Sequence, residues 1–150
     1  MDSDLDGIAE EIEKQLWEGY SAAVIDHARN PRNVGSIPNA DGFASVTGPC
    51  GDTVEIWLRV RDNTVKEATF WTDGCGTTIA AGSMVTEMAK GSPLPEALRI
   101  TQKNVLDALG GLPEESLHCA LLAANTLKEA IKDYLAYRNE PWKRAYGKRQ

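Results

Sequence analysis

Three cysteines are the residues of this sequence best equipped for chemistry, and each stands in a distinctive local setting. Cys50 lies in Gly48-Pro49-Cys50-Gly51-Asp52, Cys75 in Asp73-Gly74-Cys75-Gly76, and Cys119 directly after His118. Glycines beside a thiolate let the backbone approach closely and turn its N–H groups toward sulfur. Cys75 and Cys119 fall at expected helix starts, where the helix dipole favours negative charge and should depress both thiol pKa values. None of the three lies in the middle of an apolar stripe, where inert core cysteines sit. Soft thiolates select zinc, Cu(I) or iron–sulfur clusters. A closed structural zinc site uses four ligands and close pairs such as Cys-x-x-Cys, and neither is present here. The fourth ligand must come from His118, Asp52 or another molecule. Such a site should release a cluster more readily than four thiolates would, which suits a carrier.

The competing chemistry is a cysteine nucleophile with His118 as base and Asp52 as orienter. Adjacent residues on a helix point about 100° apart, which places His118 poorly for activating Cys119. His27 is the other histidine, and it reads as a residue that hydrogen-bonds the end of its own helix, with Arg32 structural as well.

The elements that position these residues follow from periodicity. Leu5, Ile8, Ile12, Leu16, Tyr20 and Ala23 recur at helical spacing, with Ser3 or Asp4 to cap, and predict one long helix over about 5–28, weakened at Gly19. Asn30-Pro31 ends it, and residues 30–42 are turn-rich with no clear element. Phe43 to Thr47 forms a short strand. Over Thr53–Arg61, Val54, Ile56, Leu58 and Val60 alternate with polar residues and Trp57, the pattern of a sheet with one buried face. Asp62-Asn63 turns into a third strand over about 64–71. There Val65 is out of phase with Ala68 and Phe70, which points to a bulge. Helices follow over Thr77–Ala89, in a short turn after Ser92-Pro93, over Thr101–Leu109 closed by Gly110-Gly111, and from a cap at Ser116 through Leu135. The expected fold is therefore α+β: a three-stranded antiparallel sheet with helices packed on one face, plus an extra N-terminal helix. Trp57 and Trp71, on outward strand positions, are either exposed partner contacts or are covered by a helix.

The 150 residues suit a single core, with a formal net charge of −6 that argues against nucleic acid as a partner. The first eighteen residues carry seven acids (Asp2, Asp4, Asp6, Glu10, Glu11, Glu13, Glu18) against Lys14, and the tail carries Arg138, Lys143, Arg144, Lys148 and Arg149 against Glu140. No apolar run approaches the roughly 18 residues of a membrane helix, and the acidic start lacks the basic opening of a signal peptide. A cytoplasmic protein with reduced thiols is expected.

In their order and spacing, several segments are highly specific. They are Tyr20-Ser21, Asp26-His27, Asn30-Pro31-Arg32-Asn33-Val34-Gly35, Cys50-Gly51-Asp52, Asp73-Gly74-Cys75-Gly76 leading into Ile79-Ala80, Lys90-Gly91, and Leu117-His118-Cys119 before Leu122-Ala123. Through them the chain resembles the IscU/NifU-type iron–sulfur scaffold proteins over about residues 20–135. The resemblance implies the same fold, with an N-terminal helical extension over 1–19, a scaffold domain over 20–137 and a basic tail over 138–150. It implies no catalysis by the chain itself. A [2Fe–2S] cluster, open to maturation to [4Fe–4S], would be built from iron and the persulfide sulfur of a PLP-dependent cysteine desulfurase, then delivered to recipient apo-proteins. Cys50, Asp52, Cys75, His118 and Cys119 would form the metal site, with zinc an occupant of the empty site.

Cys75 and Cys119 are 44 positions apart with no inserted segment. That favours this type over the SufU type, whose activity as a zinc-containing sulfur acceptor is the alternative function. Where many bacterial relatives carry Leu-Pro-Pro-Val-Lys for a dedicated Hsp70 chaperone, this chain reads Leu112-Pro113-Glu114-Glu115-Ser116, which argues against that partner and removes a lysine near the metal. The acidic N-terminal helix is a candidate for self-association into a homo-oligomer, or else simply an extra packed helix.

Overall fold

The protein is described by a computed structural model covering residues 7–9, 11, 12, 15 and 17–142. Leu5, Leu16, the Ser3 and Asp4 caps, the acids Asp2, Asp6, Glu10 and Glu13, Lys14, and the basic residues from Lys143 onward lie outside the described residues.

The sheet forms where side chains alternate. Strands β1 (Gly42–Thr47), β2 (Thr53–Arg61) and β3 (Thr64–Thr72) are antiparallel in the order β1-β2-β3. Val54, Ile56 and Leu58 are fully buried on one face of the central strand. Asp62 and Asn63 both take left-handed backbone (φ +53° and +59°), the geometry of a type I′ hairpin. The expected bulge is present: Arg59 pairs with Glu67 but Val60 with Val65. The extra residue, Lys66, lets Val65, Ala68 and Phe70 all face the core.

Helices cover that inner face. Helix α2 (Gly76–Ala89) packs on β3, and α5 (Leu117–Asn139) lies across β1 and β2. Helices α1 (Ala22–Arg29) and α4 (Gln102–Leu109) pack on α2, with α4 also against α5, and the short α3 (Leu94–Ala97) lies beside β3. Phe70, Ile56, Leu58, Val85, Leu109, Leu127 and Ile131 meet in one core.

Three sequence expectations change here. The single helix over 5–28 is two. Residues 7–9, 11, 12 and 15 are helical, but the chain turns over 17–19, with Gly19 at φ +89°. A new helix begins where the Ser21 hydroxyl caps Val24 N–H at 3.0 Å. That hydroxyl also donates to the Leu109 carbonyl, tying α1 to the end of α4. Ile8 and Ile12 remain exposed at 57% and 53%.

Residues 30–42, read as turn-rich, do structural work. Gly35 N–H donates to Phe70 O (3.0 Å) and Phe70 N–H to Asn33 O (2.9 Å), so the segment closes the free edge of β3. It then crosses the outer face of the sheet, where Ile37 and Ala40 bury Trp57. Arg59 clamps it by donating to the carbonyls of Pro38 and Asn39, both at 3.0 Å. Trp57 is thus covered by a loop and not by a helix, whereas Trp71 stays 45% exposed.

The third change is at Ser116, which precedes α5 but caps it with no side-chain hydrogen bond. A 3₁₀ turn over Glu114–Ser116 leads into the helix instead.

His27 is a hydrogen-bonding residue, as the sequence suggests, but its partner lies on α2 and not at the end of its own helix. Its Nδ1 is 2.7 Å from Ser83 Oγ, which also accepts from Arg32 N–H at 2.9 Å, while Arg32 pairs with Asp26 at 2.7 Å. Burial, then the Arg32 charge, holds His27 below its usual pKa, keeping it neutral near pH 7.

Candidate metal centre

Three separate junctions bring the cysteines toward one edge of the sheet. Cys50 is at the tip of the β1–β2 hairpin, closed by Gly48 N–H to Asp52 O (2.8 Å) and Gly51 N–H to Gly48 O (3.0 Å). Gly51 has φ +94°, a conformation that favours glycine. The hairpin leans on α5: a methyl group built on Gly48 would lie 3.3 Å from Leu122. Cys50 is exposed.

Cys75 follows β3 and occupies the N-cap of α2, without a side-chain cap bond of its own. Asp73 ties this turn to the hairpin by accepting from Thr53 N–H at 2.8 Å. Cys119 is the third residue of α5 and, unlike the other two, is buried in the core cluster at 2% exposure.

Two hydroxyls join these sulfurs. Thr77 Oγ1 lies 3.2 Å from Cys75 Sγ and 3.4 Å from Cys119 Sγ. Thr78 Oγ1 lies 3.4 Å from Cys119 Sγ and 3.9 Å from Cys75 Sγ, and donates to Asp52 Oδ2 at 3.0 Å. Both threonines are buried, at 4% and 0% exposure. Reading from the cysteines alone missed them. The available signal was their position: with Cys75 at the N-cap, residues 77 and 78 are in the first turn, where side chains reach back toward the cap.

His118 Nε2 is 3.7 Å from Cys119 Sγ. The two Cβ directions diverge, as the helical angle requires, but the imidazole is long enough to fold back along the surface. Asp52 accepts from Thr78 and does not orient His118, so the geometry of a nucleophile–base–orienter triad is not formed. Among the described residues, no three of the Cys, His, Asp and Glu side chains already close around a single metal position. Closing around one metal ion would require these groups to move inward.

The thiols divide electrostatically. Burial works to raise the Cys75 thiol, but the Thr77 and Thr78 hydroxyls, with the nearby backbone N–H groups of the same two residues, favour the thiolate and together outweigh burial, so its pKa falls. Cys119 departs from the sequence expectation. Burial raises its thiol, the Thr77 and Thr78 hydroxyls offset only part of that, and the neighbouring Cys75 and Cys50 charges raise it further. The helix dipole acts at Cys119 too, but desolvation of a thiolate buried in the core is the larger effect.

Alkylation of the metal-free protein checks this. Between pH 6 and pH 8, iodoacetamide should modify Cys75 at least about tenfold faster than Cys119, from both exposure and thiolate fraction. Cys75 should approach its plateau rate below the ordinary cysteine pKa of about 8.5, and Cys119 should still be accelerating above it. Mass mapping of the modified peptides reads both rates, and equal rates or the reverse order would contradict the assignment.

Comparisons with known proteins show the family and the fold. The NifU-like N terminal domain family matches residues 19–141. The iron–sulfur cluster assembly scaffold protein IscU 1 of Archaeoglobus fulgidus is 52% identical over 116 residues, 77% of this chain and 76% of that protein. The scaffold protein IscU of Escherichia coli K12 is 44% identical over 124 residues, covering 79% of this chain and 96% of that one. In fold, the chain superimposes on the N-terminal part of a nitrogen-fixing NifU-like protein from Brucella abortus with a TM-score of 0.61, at 20% identity over 77% of this chain and 94% of that chain.

Proposed function

The chain belongs to the NifU-like N-terminal domain family, and from that membership and the geometry of the centre we infer how it works. It is an iron–sulfur cluster assembly scaffold, and not a catalytic enzyme. The cluster is its cargo. We propose that Cys50, Cys75 and Cys119 bind it, with Asp52 and His118 contending for the remaining position. The observation that carries this reading is the bridging of the Cys75 and Cys119 sulfurs by two buried hydroxyls, one of which also holds Asp52 of the hairpin that carries Cys50.

The residues take different parts. Cys50 and Cys75 are exposed, so either thiolate is open to the persulfide of a cysteine desulfurase. Attack on its terminal sulfur forms the new S–S bond as the bond to the partner's cysteine breaks and that cysteine leaves as thiolate. Two electrons from an external reductant then release sulfide. Cys119, buried and held by Thr77 and Thr78, anchors the inner side of the cluster. Membership of the family suggests a [2Fe–2S] unit, open to maturation to [4Fe–4S], and a carboxylate or imidazole in place of a fourth thiolate keeps it transferable to recipient apo-proteins. Glu114 and Glu115 face solvent in the turn before α5, where no lysine stands, and this fits release without a dedicated Hsp70. Reduced thiols require a reducing compartment, the cytoplasm, and no described helix is long and apolar enough to cross a membrane.

Anaerobic reconstitution with iron and sulfide tests the reading. Iron with comparable acid-labile sulfide is the expected result. Retention of zinc alone would favour a sulfur acceptor, and retention of neither would overturn the cluster site. Asp52→Ala should slow cluster loss in air several-fold, followed by absorbance, because the poor ligand and the water it admits are removed. Loss at an equal or faster rate would contradict that role.

A further inference from the structure

We propose that Thr78 is the positioning residue that gathers Asp52, Cys75 and Cys119 into register for the incoming metal. The proposal rests on the reading that these three groups are ligands, and it adds a residue that touches all of them without being one. Thr78 Oγ1 donates to Asp52 Oδ2 at 3.0 Å and lies 3.4 Å from Cys119 Sγ and 3.9 Å from Cys75 Sγ. The residue is fully buried, so water does not compete for its hydroxyl. A carboxylate at the base of an exposed hairpin has several rotamers open to it, and one charge-assisted hydrogen bond from a buried helix residue selects among them.

A second feature of the fold serves the same contact. Gly74 is the place where the β3–α2 turn passes the Thr78–Asp52 pair. A methyl group built there would lie 2.7 Å from Thr78 Cβ and Oγ1 and 2.8 Å from Asp52 Oδ2. Gly74 is therefore required for space and not for a left-handed backbone, since its φ is not among the positive values. Thr77 makes an internal control: it touches both sulfurs but has no bond to Asp52. The hydroxyl at Thr78 thus does for the ligands what an outer-shell partner does for a ligating histidine, holding the group in the orientation the metal needs.

The test uses the full chain, metal-free and reduced, with Co(II) as an optical probe. Thr78→Val removes the hydroxyl while keeping shape, and should weaken Co(II) binding by about 10–100-fold and alter its visible absorption. Thr78→Ser should restore both. In an Asp52→Ala background, Thr78→Val should have little further effect, whereas Thr77→Val should weaken binding equally with Asp52 present or absent. Wild-type affinity and spectrum in Thr78→Val would overturn the proposal, as would a full loss that persists without Asp52. If Asp52→Ala alone leaves affinity and spectrum unchanged, Asp52 is not a ligand, and the site reading beneath the proposal falls with it. Gly74→Ala covers the case in which Thr78→Val does not fold. It separates the pair sterically with Thr78 intact, so it should reproduce the loss, and wild-type binding there would also overturn the proposal.

Discussion

Cys75→Ala should yield a folded protein that no longer retains a cluster after anaerobic reconstitution and desalting. Cys75 is exposed and makes no side-chain cap bond to α2, so its removal should change stability by less than about 1 kcal/mol. The loss of function is disproportionate to that small change. Removing a supporting outer group costs a metal site about 10–100-fold in affinity, and removing one of the three thiolates proposed as ligands should cost more. Cys50→Ala should behave alike, since that side chain is also exposed. Cys119→Ala should lose the cluster too, but with a separate cost, because Cys119 is 2% exposed and packed in the core. Iron and labile sulfide per chain, read beside a denaturation curve, distinguish the two kinds of damage. Wild-type iron and sulfide in any of the three variants would remove that cysteine from the site.

Phe70→Ala should cost about 3–5 kcal/mol, a large share of the roughly 5–15 kcal/mol that holds a domain folded. Phe70 is 1% exposed, lies under α2, and bonds through its backbone to the segment that closes the sheet edge. Its ring fits against Gly82. A methyl group built on Gly82 would stand 2.5 Å from Phe70 Cδ2, with no room for the ring to yield. Gly82→Ala should therefore cost about 1–3 kcal/mol by itself. Joined with Phe70→Leu, which frees part of that volume, the pair should cost less than the sum by about 0.5–3 kcal/mol. Urea midpoints of the four proteins give the coupling, and additivity within about 0.5 kcal/mol would refute the contact. The consequence reaches the centre, because α2 carries Cys75, Thr77 and Thr78 at its first turn. A helix displaced from Phe70 misplaces all three.

The strands, their order and their hairpin were legible because alternation and turn chemistry are local properties. Val54, Ile56 and Leu58 state which face is buried, and Asp62-Asn63 states where the chain reverses. Even the bulge is visible, as a slip in phase at Val65. The break of the N-terminal helix was half legible. Gly19 marked the weakness, but the capping of Val24 by Ser21 set the new start. Residues 30–42 were opaque, because their role is to bond a strand and cover a tryptophan that follow later in the chain, and no periodicity records that.

The centre divides along the same line. Three cysteines in glycine-rich or helix-start settings, too few for a closed zinc site, were determined by the sequence itself, as was the candidacy of Asp52 and His118. Only the tertiary structure decided that Cys119 is buried, which turns its thiol pKa upward where the helix dipole alone suggested downward. Only packing carried His118 back to Cys119, and only packing set Thr78 against Asp52, 26 positions away, and Cys119, 41 positions away. Composition and spacing identify which groups are available. Which of them touch, and in what dielectric, depends on how α2 and α5 settle on the sheet.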